Sequence, residues 1–283
     1  MGGTLWKIAG RSVDLSQNAL IMGVLNVTPD SFSDGGEFFT NETAIEHGSR
    51  MIADGAGIID VGGESTRPGA IPVSAKEELA RVVPVIAKLR EKVSVFISID
   101  TTKAAVALGA LEAGASIVND VSGGRADPEM MTLAAKKKAA IIIMHMQGTP
   151  QTMQVNPSYN DVVAEVADFF RQQYERAVDC GIDSMAIAFD PGIGFGKTVE
   201  HNLKLLAHLP RLRVHDRPIV VGVSRKSFLG KMVGSAGISD RLAPTIAFTA
   251  MLRERGANVL RVHDVKENAA ALRVAEKLLQ TAP

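Results

Sequence analysis

Short apolar runs recur along this chain, and each ends on a polar residue before an amphipathic stretch takes over. The first, Ile21 to Asn26, reads as a short buried strand. Gly57 to Val61, Val95 to Asp100, Ser116 to Asp120 and Ala140 to His145 follow. Met185 to Asp190, Pro218 to Val223 and Asn258 to Val262 complete the series. Ala140 to His145 is uninterrupted enough to be buried on both faces.

Between these runs, apolar residues return at helical spacing. Ala44, Ile45, Gly48, Met51 and Ile52 mark a helix from about Asn41 to Asp54, stopped by Gly55. Ser74 and Glu77 form a capping-box signature ahead of Leu79, Val82, Val83, Ile86 and Leu89. Pro84 within that helix should bend it or remove one backbone hydrogen bond. Further helices are predicted over Thr102 to Ala113, from an Asp127-Pro128 start to about Lys138, and over Tyr159 to Asp179. Others run from Thr198 to Leu209 and from Asp264 to Gln280. The seventh helical region is split into a short helix from Lys226 and a longer one over Ser239 to Arg255. Ahead of the series, Trp6 to Ile8 and Ser12 to Leu15 flank Gly10-Arg11 as a small β-hairpin.

About eight strand-then-helix units imply parallel strands and an α/β fold. The expected architecture is a (β/α)8 TIM barrel with a short N-terminal β-hairpin, forming one domain over residues 1–283. A doubly wound open sheet is the rival, but its Gly-rich first turn is absent: a long polar loop, Val27 to Gly36, follows the first strand.

Composition narrows the possible partners. The chain has 31 basic and 31 acidic side chains, so no nucleic acid or anionic membrane is expected. Any bound anion must be caught locally. Cys180 is the only cysteine, which rules out an intrachain disulfide. Met1 to Trp6 lacks a signal-peptide layout, and no apolar run approaches the roughly 20 residues of a membrane span. A soluble cytoplasmic protein is expected.

In such a barrel, the carboxyl ends of the strands form the active face. Those ends offer Asn26, Asp60 with Glu64, Asp100, Asn119 with Asp120, His145, Asp190, Ser224 to Lys226, and Arg261 with His263. Single polar ends are commonly caps or turns, but eight converging on one face point to an enzyme. Arg261 and His263 alternate along the last strand and suit an anion, with Asn26 on the adjoining first strand. Mg²⁺ prefers oxygen ligands and substrate phosphates, and Asn26 offers one such oxygen. Pairing of Arg261 with Asp264 or a helix end is the structural alternative. Asp100, Asn119 and Asp190 suit a flat heterocycle with an amidine-like edge. Buried without partners, these carboxylates would be costly, so they require a ligand, Lys226 or water, or else an internal ion pair. Gly62 to Ala70 and Asp190 to Lys197 read, with Val27 to Gly36, as loops able to cover a second substrate. The glycines of the last segment lack P-loop spacing and read as a tight turn presenting Phe195.

Eight separate motifs then carry a family resemblance. Leu-Asn-Val-Thr-Pro-Asp-Ser-Phe-Ser-Asp-Gly-Gly from Leu25, Gly-Gly-Glu-Ser-Thr-Arg-Pro-Gly from Gly62 and Ile-Ser-Ile-Asp-Thr from Ile97 are three of them. The others are Asn119 to Ser122, Met144 to Gly148, Asp190 to Gly192, Ser224 to Ser227 and Arg261 to Asp264. In this order, spanning Met22 to Val265, they resemble the dihydropteroate synthase family of folate biosynthesis, the sulfonamide target. The resemblance implies a transferase joining 6-hydroxymethyl-7,8-dihydropterin pyrophosphate to 4-aminobenzoate, with Mg²⁺ and usually as a homodimer. It implies pterin binding by Asp100, Asn119, Asp190 and Lys226, and pyrophosphate contacts from Asn26, Thr66, Arg261 and His263. It also implies Mg²⁺ at Asn26 and an aminobenzoate pocket from Phe32, Arg67, Pro68, Phe195 and Ser227. Asp100, Lys226 and Arg261 are the expected catalytic residues.

One departure is Pro244, where the family pattern leads one to expect Gly; it should disturb the start of the adjoining helix. A pterin-dependent methyltransferase serving a corrinoid protein and a non-catalytic pterin-binding paralogue are the alternatives. The first leaves the Thr-Arg-Pro and Ser-Arg-Lys-Ser loops poorly explained, and the second would not need the complete loops Val27 to Gly36 and Gly62 to Ala70 as lids for aminobenzoate. A Schiff-base aldolase would want a Lys inside an apolar strand, and the predicted strands offer none.

Overall fold

The computed structural model describes residues 4–28, 41–66, 69–235 and 237–281. Strands β1 (Leu5–Ile8) and β2 (Arg11–Asp14) pair antiparallel as the predicted hairpin. Ala9 and Gly10 turn it at φ +49° and +74°, the left-handed pair a two-residue hairpin turn requires.

Eight parallel strands follow: β3 (Leu20–Asn26), β4 (Ile58–Gly62), β5 (Phe96–Asp100) and β6 (Ile117–Asp120), then β7 (Ala140–Met144), β8 (Ile187–Asp190), β9 (Val220–Val221) and β10 (Val259–Val262). They run in the order β8-β7-β6-β5-β4-β3-β10-β9. A parallel bridge between Phe189 and Ile219 joins the two ends, so the sheet closes into the expected barrel. The helices are α1 (Asn41–Ala53), α2 (Ala75–Lys92), α3 (Ala104–Glu112), α4 (Met130–Lys137), α5 (Val162–Asp179), α6 (Val199–Ala207), α7 (Ser227–Met232), α8 (Leu242–Glu254) and α9 (Val265–Thr281). No described helix is long and apolar enough to cross a membrane.

Several boundaries moved for identifiable reasons. β9 is much shorter than the predicted Pro218 to Val223, because side chains take over its ladder at both ends. Ile219 donates its N–H to Asn258 Oδ1 at 3.1 Å, and His263 donates its N–H to Ser224 Oγ at 3.1 Å. Helix α4 begins at Met130, after Asp127-Pro128. Asp127 divides its carboxylate, accepting from Glu129 N–H at 3.0 Å and from Ala104 N–H, at the start of α3, at 2.8 Å. Helix α2 continues through Pro84, and Ser74 caps it by accepting from Glu77 N–H. Pro244 does not disturb α8. It is that helix's third residue, where a backbone N–H would have no intrahelical acceptor to lose.

The hairpin closes the amino end of the barrel, opposite the face where the polar strand ends gather. Trp6 is fully buried and donates its indole N–H to Ala186 O at 3.1 Å. Asn258 Nδ2 donates to Leu15 O at 3.2 Å, tying the start of β10 to the segment after β2. A Trp6→Ala substitution removes this plug and its hydrogen bond. It is expected to cost about 3–5 kcal/mol of stability by urea unfolding, with Michaelis constants unchanged because the active face lies at the other end.

Candidate active site

The mouth of the barrel is built around one cation. Arg261 on β10 reaches inward, donating Nε to Asp60 Oδ2 and Nη2 to Asp100 Oδ2, each at 2.7 Å. Asp60 comes from β4 and is fully buried, while Asp100 ends β5. Asn119 on β6 lies in register beside Asp100 and donates Nδ2 to Asp60 Oδ2 at 3.1 Å. The internal ion pair anticipated for Asp100 is therefore made, with Arg261 as its partner. The proposed pairing of Arg261 with Asp264 is not found; Arg225 takes Asp264 instead, Nε to Oδ2 at 2.9 Å.

These bonds leave part of each carboxylate unused. Asp60 Oδ1 and Asp100 Oδ1 are buried without a hydrogen-bond partner among the described residues. Buried acceptors of this kind are costly unless a donor reaches them. Burial pushes the Asp100 carboxyl up to about 7, against the pull of Arg261 and with Asp60, Glu78 and Asp120 adding to the rise. Burial alone would lower the Arg261 pKa, but the Asp60 and Asp100 carboxylates hold it above its ordinary value.

Asp190 ends β8 next to this group. Its carboxylate accepts from Gly192 N–H at 2.7 Å, and burial raises its pKa against the attraction of Lys226. Lys226 immediately precedes α7. It donates to Ile193 O, and its Nζ lies 4.6 Å from the Phe195 ring centroid. Its hydrogen bond therefore goes to a backbone carbonyl, while burial brings its pKa down to about 8, opposed by Asp190 and aided by Arg261. Ser227 follows as the first residue of α7.

The residues expected to meet an anion lie at the junction of β3 and β10. Asn26 ends β3, in register with Gly62 of β4. His263 sits just beyond β10, its Nδ1 3.0 Å from Ser224 Oγ. The described residues contain no group of three or more His, Cys, Asp or Glu able to hold a metal. A carboxamide at Asn26 fits Mg²⁺, which keeps several waters and relies on substrate phosphates. Thr66 stands at the end of the described part of its loop, half-buried. Below it, Glu64 accepts from Val73 N–H at 3.0 Å and from Lys103 Nζ at 2.5 Å. Lys103 also donates to the buried Glu78 at 2.6 Å. Glu64, read from the sequence as part of the active face, thus works as loop scaffolding. Phe32, Arg67 and Pro68 lie outside the described residues.

Two features went unread in the sequence. Asp60 was recognised as a strand end but not as the acceptor shared by Arg261 and Asn119. Lys197 closed a glycine-rich loop, with no local sign that it would be buried. It lies 3% exposed beside His145. Burial, with Lys197 and Arg125 nearby, brings the His145 pKa down to about 2, so the ring is neutral.

Comparison with known proteins identifies the family and agrees with the fold. The chain matches the family model described as pterin binding enzyme over residues 22–263. It is 48% identical over 265 residues to the dihydropteroate synthase of Synechocystis sp., covering 94% of this chain and 92% of that protein. A Yersinia pestis dihydropteroate synthase solved in complex with a sulfonamide drug superposes with a TM-score of 0.92 at 42% identity, over 98% of this chain and 100% of that one. The Xanthomonas albilineans enzyme solved with 4-aminobenzoic acid also gives a TM-score of 0.92, at 41% identity and 100% coverage of both chains. The chain therefore belongs to the pterin-binding enzyme family, on its dihydropteroate synthase branch.

Proposed function

We infer that the chain condenses 6-hydroxymethyl-7,8-dihydropterin pyrophosphate with 4-aminobenzoate, forming 7,8-dihydropteroate and releasing pyrophosphate. The observation that carries this reading is the pair of buried acceptors, Asp60 Oδ1 and Asp100 Oδ1, beside a cation already anchored in the barrel. A flat ring with an N–H edge satisfies such acceptors, and a pyrophosphate tail suits the cation.

In this reading Asp100, Asn119, Asp190 and Lys226 hold the pterin. Arg261, His263, Thr66 and Asn26 hold the pyrophosphate. Phe195 and Ser227 line the aminobenzoate pocket, with Phe32, Arg67 and Pro68 from the covering loops. Asn26 would hold Mg²⁺ with the help of the substrate phosphates, and the bound ion would supply charge neutralisation at the leaving group. Arg261 stabilises the same developing charge from a fixed position, which costs no reorganisation during reaction. As the carbon–oxygen bond to pyrophosphate breaks, positive charge spreads from the methylene into the pterin ring, where Asp100 offsets it. The arylamine nitrogen then attacks the methylene and gives up its proton. A second copy of the chain is the expected protein partner, supported by exposed Met232, Val233, Ile238 and Met251 around α7 and α8. The cytoplasm is the expected compartment.

Pyrophosphate release measured with pterin pyrophosphate and Mg²⁺ is expected to depend on 4-aminobenzoate, with dihydropteroate confirmed by mass. Tight pterin binding without turnover would instead favour the methyltransferase or non-catalytic alternatives. Asp100→Asn is expected to lower kcat by about 10²–10³ with the fold intact by circular dichroism; near-normal turnover would remove Asp100 from the chemistry. Arg261→Ala is expected to weaken pyrophosphate binding by about 2–5 kcal/mol, read by calorimetry. The pH profile of kcat/KM should be bell-shaped. Asp100 loses its charge as pH falls below about 7, and Lys226 loses its charge as pH rises above about 8. Lys226→Met should abolish the alkaline limb while leaving the acid limb in place.

A further inference from the structure

The loop between β8 and α6 has an unusual hydrogen-bond pattern. Four successive carbonyls each meet a donor from a different place. Ile193 O accepts from Lys226 Nζ, and Gly194 O from Gln154 Nε2 at 2.7 Å. Phe195 O accepts from Lys197 Nζ at 2.9 Å, and Gly196 O from the Tyr159 hydroxyl at 2.8 Å. A surface loop ordinarily leaves such groups to water. The loop also lies flush against the segment after β7. A Cβ on Gly192 would fall 1.9 Å from His145 O, and one on Gly196 would fall 2.5 Å from Gln147 O.

Lys197 holds the centre of this arrangement. Besides Phe195 O, its Nζ lies 3.3 Å from His145 O and 3.0 Å from His145 Nδ1. It hydrogen-bonds to no carboxylate among the described residues. A buried cation with only neutral acceptors is costly. Burial, together with Lys226, brings its pKa well below the ordinary lysine value. A merely space-filling role would suit a long apolar side chain better. What Lys197 adds is direction. One nitrogen holds the Phe195 backbone and the His145 ring together, and that ring packs edge-on to Phe169 at 5.0 Å. Phe195 itself packs on Val121, Met144, Met146 and Met153.

We propose that Lys197, with Tyr159, is a positioning residue for the arylamine subsite, fixing the backbone at Phe195 and Gly196 so that the Phe195 ring is already placed when the aromatic acid arrives. Pre-placing an aromatic wall reduces the ordering cost of binding. The inference rests on the reading of Phe195 as part of the 4-aminobenzoate pocket.

The test uses the full-length enzyme with Lys197→Met, which keeps the length of the side chain, and Tyr159→Phe, which removes one hydroxyl. Amide hydrogen exchange over residues 192–196 is expected to rise about tenfold in Lys197→Met. The KM for 4-aminobenzoate is expected to rise about tenfold, while the KM for pterin pyrophosphate stays within about twofold of wild type. Tyr159→Phe should move the same two readouts in the same direction by a smaller factor. Unchanged exchange and unchanged KM for 4-aminobenzoate would overturn the proposal, as would equal rises in both KM values with a collapsed thermal midpoint. If Lys197→Met fails to fold, the Tyr159→Phe result decides in the same terms. Exchange is read without turnover, so a wild-type enzyme that failed to condense its substrates would overturn the assigned reaction, and the exchange data would still judge the clamp.

Discussion

The barrel mouth depends on a single guanidinium. Asp60 and Asp100 are carboxylates in a site from which water is largely excluded, and Arg261 is the cation bonded to both. Removing one partner from such a group leaves an uncompensated buried charge, which is far costlier than losing a surface ion pair. Because β10 pairs with β3 and β3 with β4, Arg261 reaches Asp60 across a single intervening strand.

The ion pair also explains how one site can take two unlike parts of a substrate. Arg261 spends Nε and Nη2 on carboxylates, and the same carboxylates keep one unused oxygen each. Positive and negative recognition elements therefore sit side by side, held in register by the hydrogen-bonded ladders between parallel strands. Preorganisation of this kind serves catalysis because charges are aimed before the reaction begins. The loop around Phe195 applies the same logic with backbone carbonyls in place of charges.

Much of this was legible in one dimension. The apolar runs ending on Asn26, Asp100, Asn119 and Asp190 mark strands and their functional ends together, since parallel strands buried on both faces leave only the ends for polar groups. The helix starts at Ser74 and Thr198 were readable because capping is local. Partner choice was not readable. Arg261 had Asp264 three residues away and took Asp60 and Asp100 instead, because strand direction aims it into the barrel while Arg225 reaches Asp264. Lys197 was opaque for the same reason: its acceptor His145 belongs to another strand end, and burial arises only when β7 and β8 pair. Glu64 misled because a carboxylate just past a strand looks the same whether it faces a substrate or a lysine.

This separation between local and long-range signals bears on how substitutions at the mouth are read. Asp60 keeps Oδ1 for the ring, and its Oδ2 accepts from both Arg261 and Asn119. Loss of Asp60 would free the anion-binding and ring-binding residues at once, so its effect cannot be divided between the two subsites by single substitutions. Residues sharing one buried acceptor couple, and only a double-mutant cycle separates their contributions. Pairing Asp60→Asn with Arg261→Lys and with Asn119→Ala would measure the two couplings independently. If Asp60 acts solely as the anchor of Arg261, its coupling to Asn119 is near zero; the observed geometry, with one oxygen serving both donors, requires both couplings to be substantial.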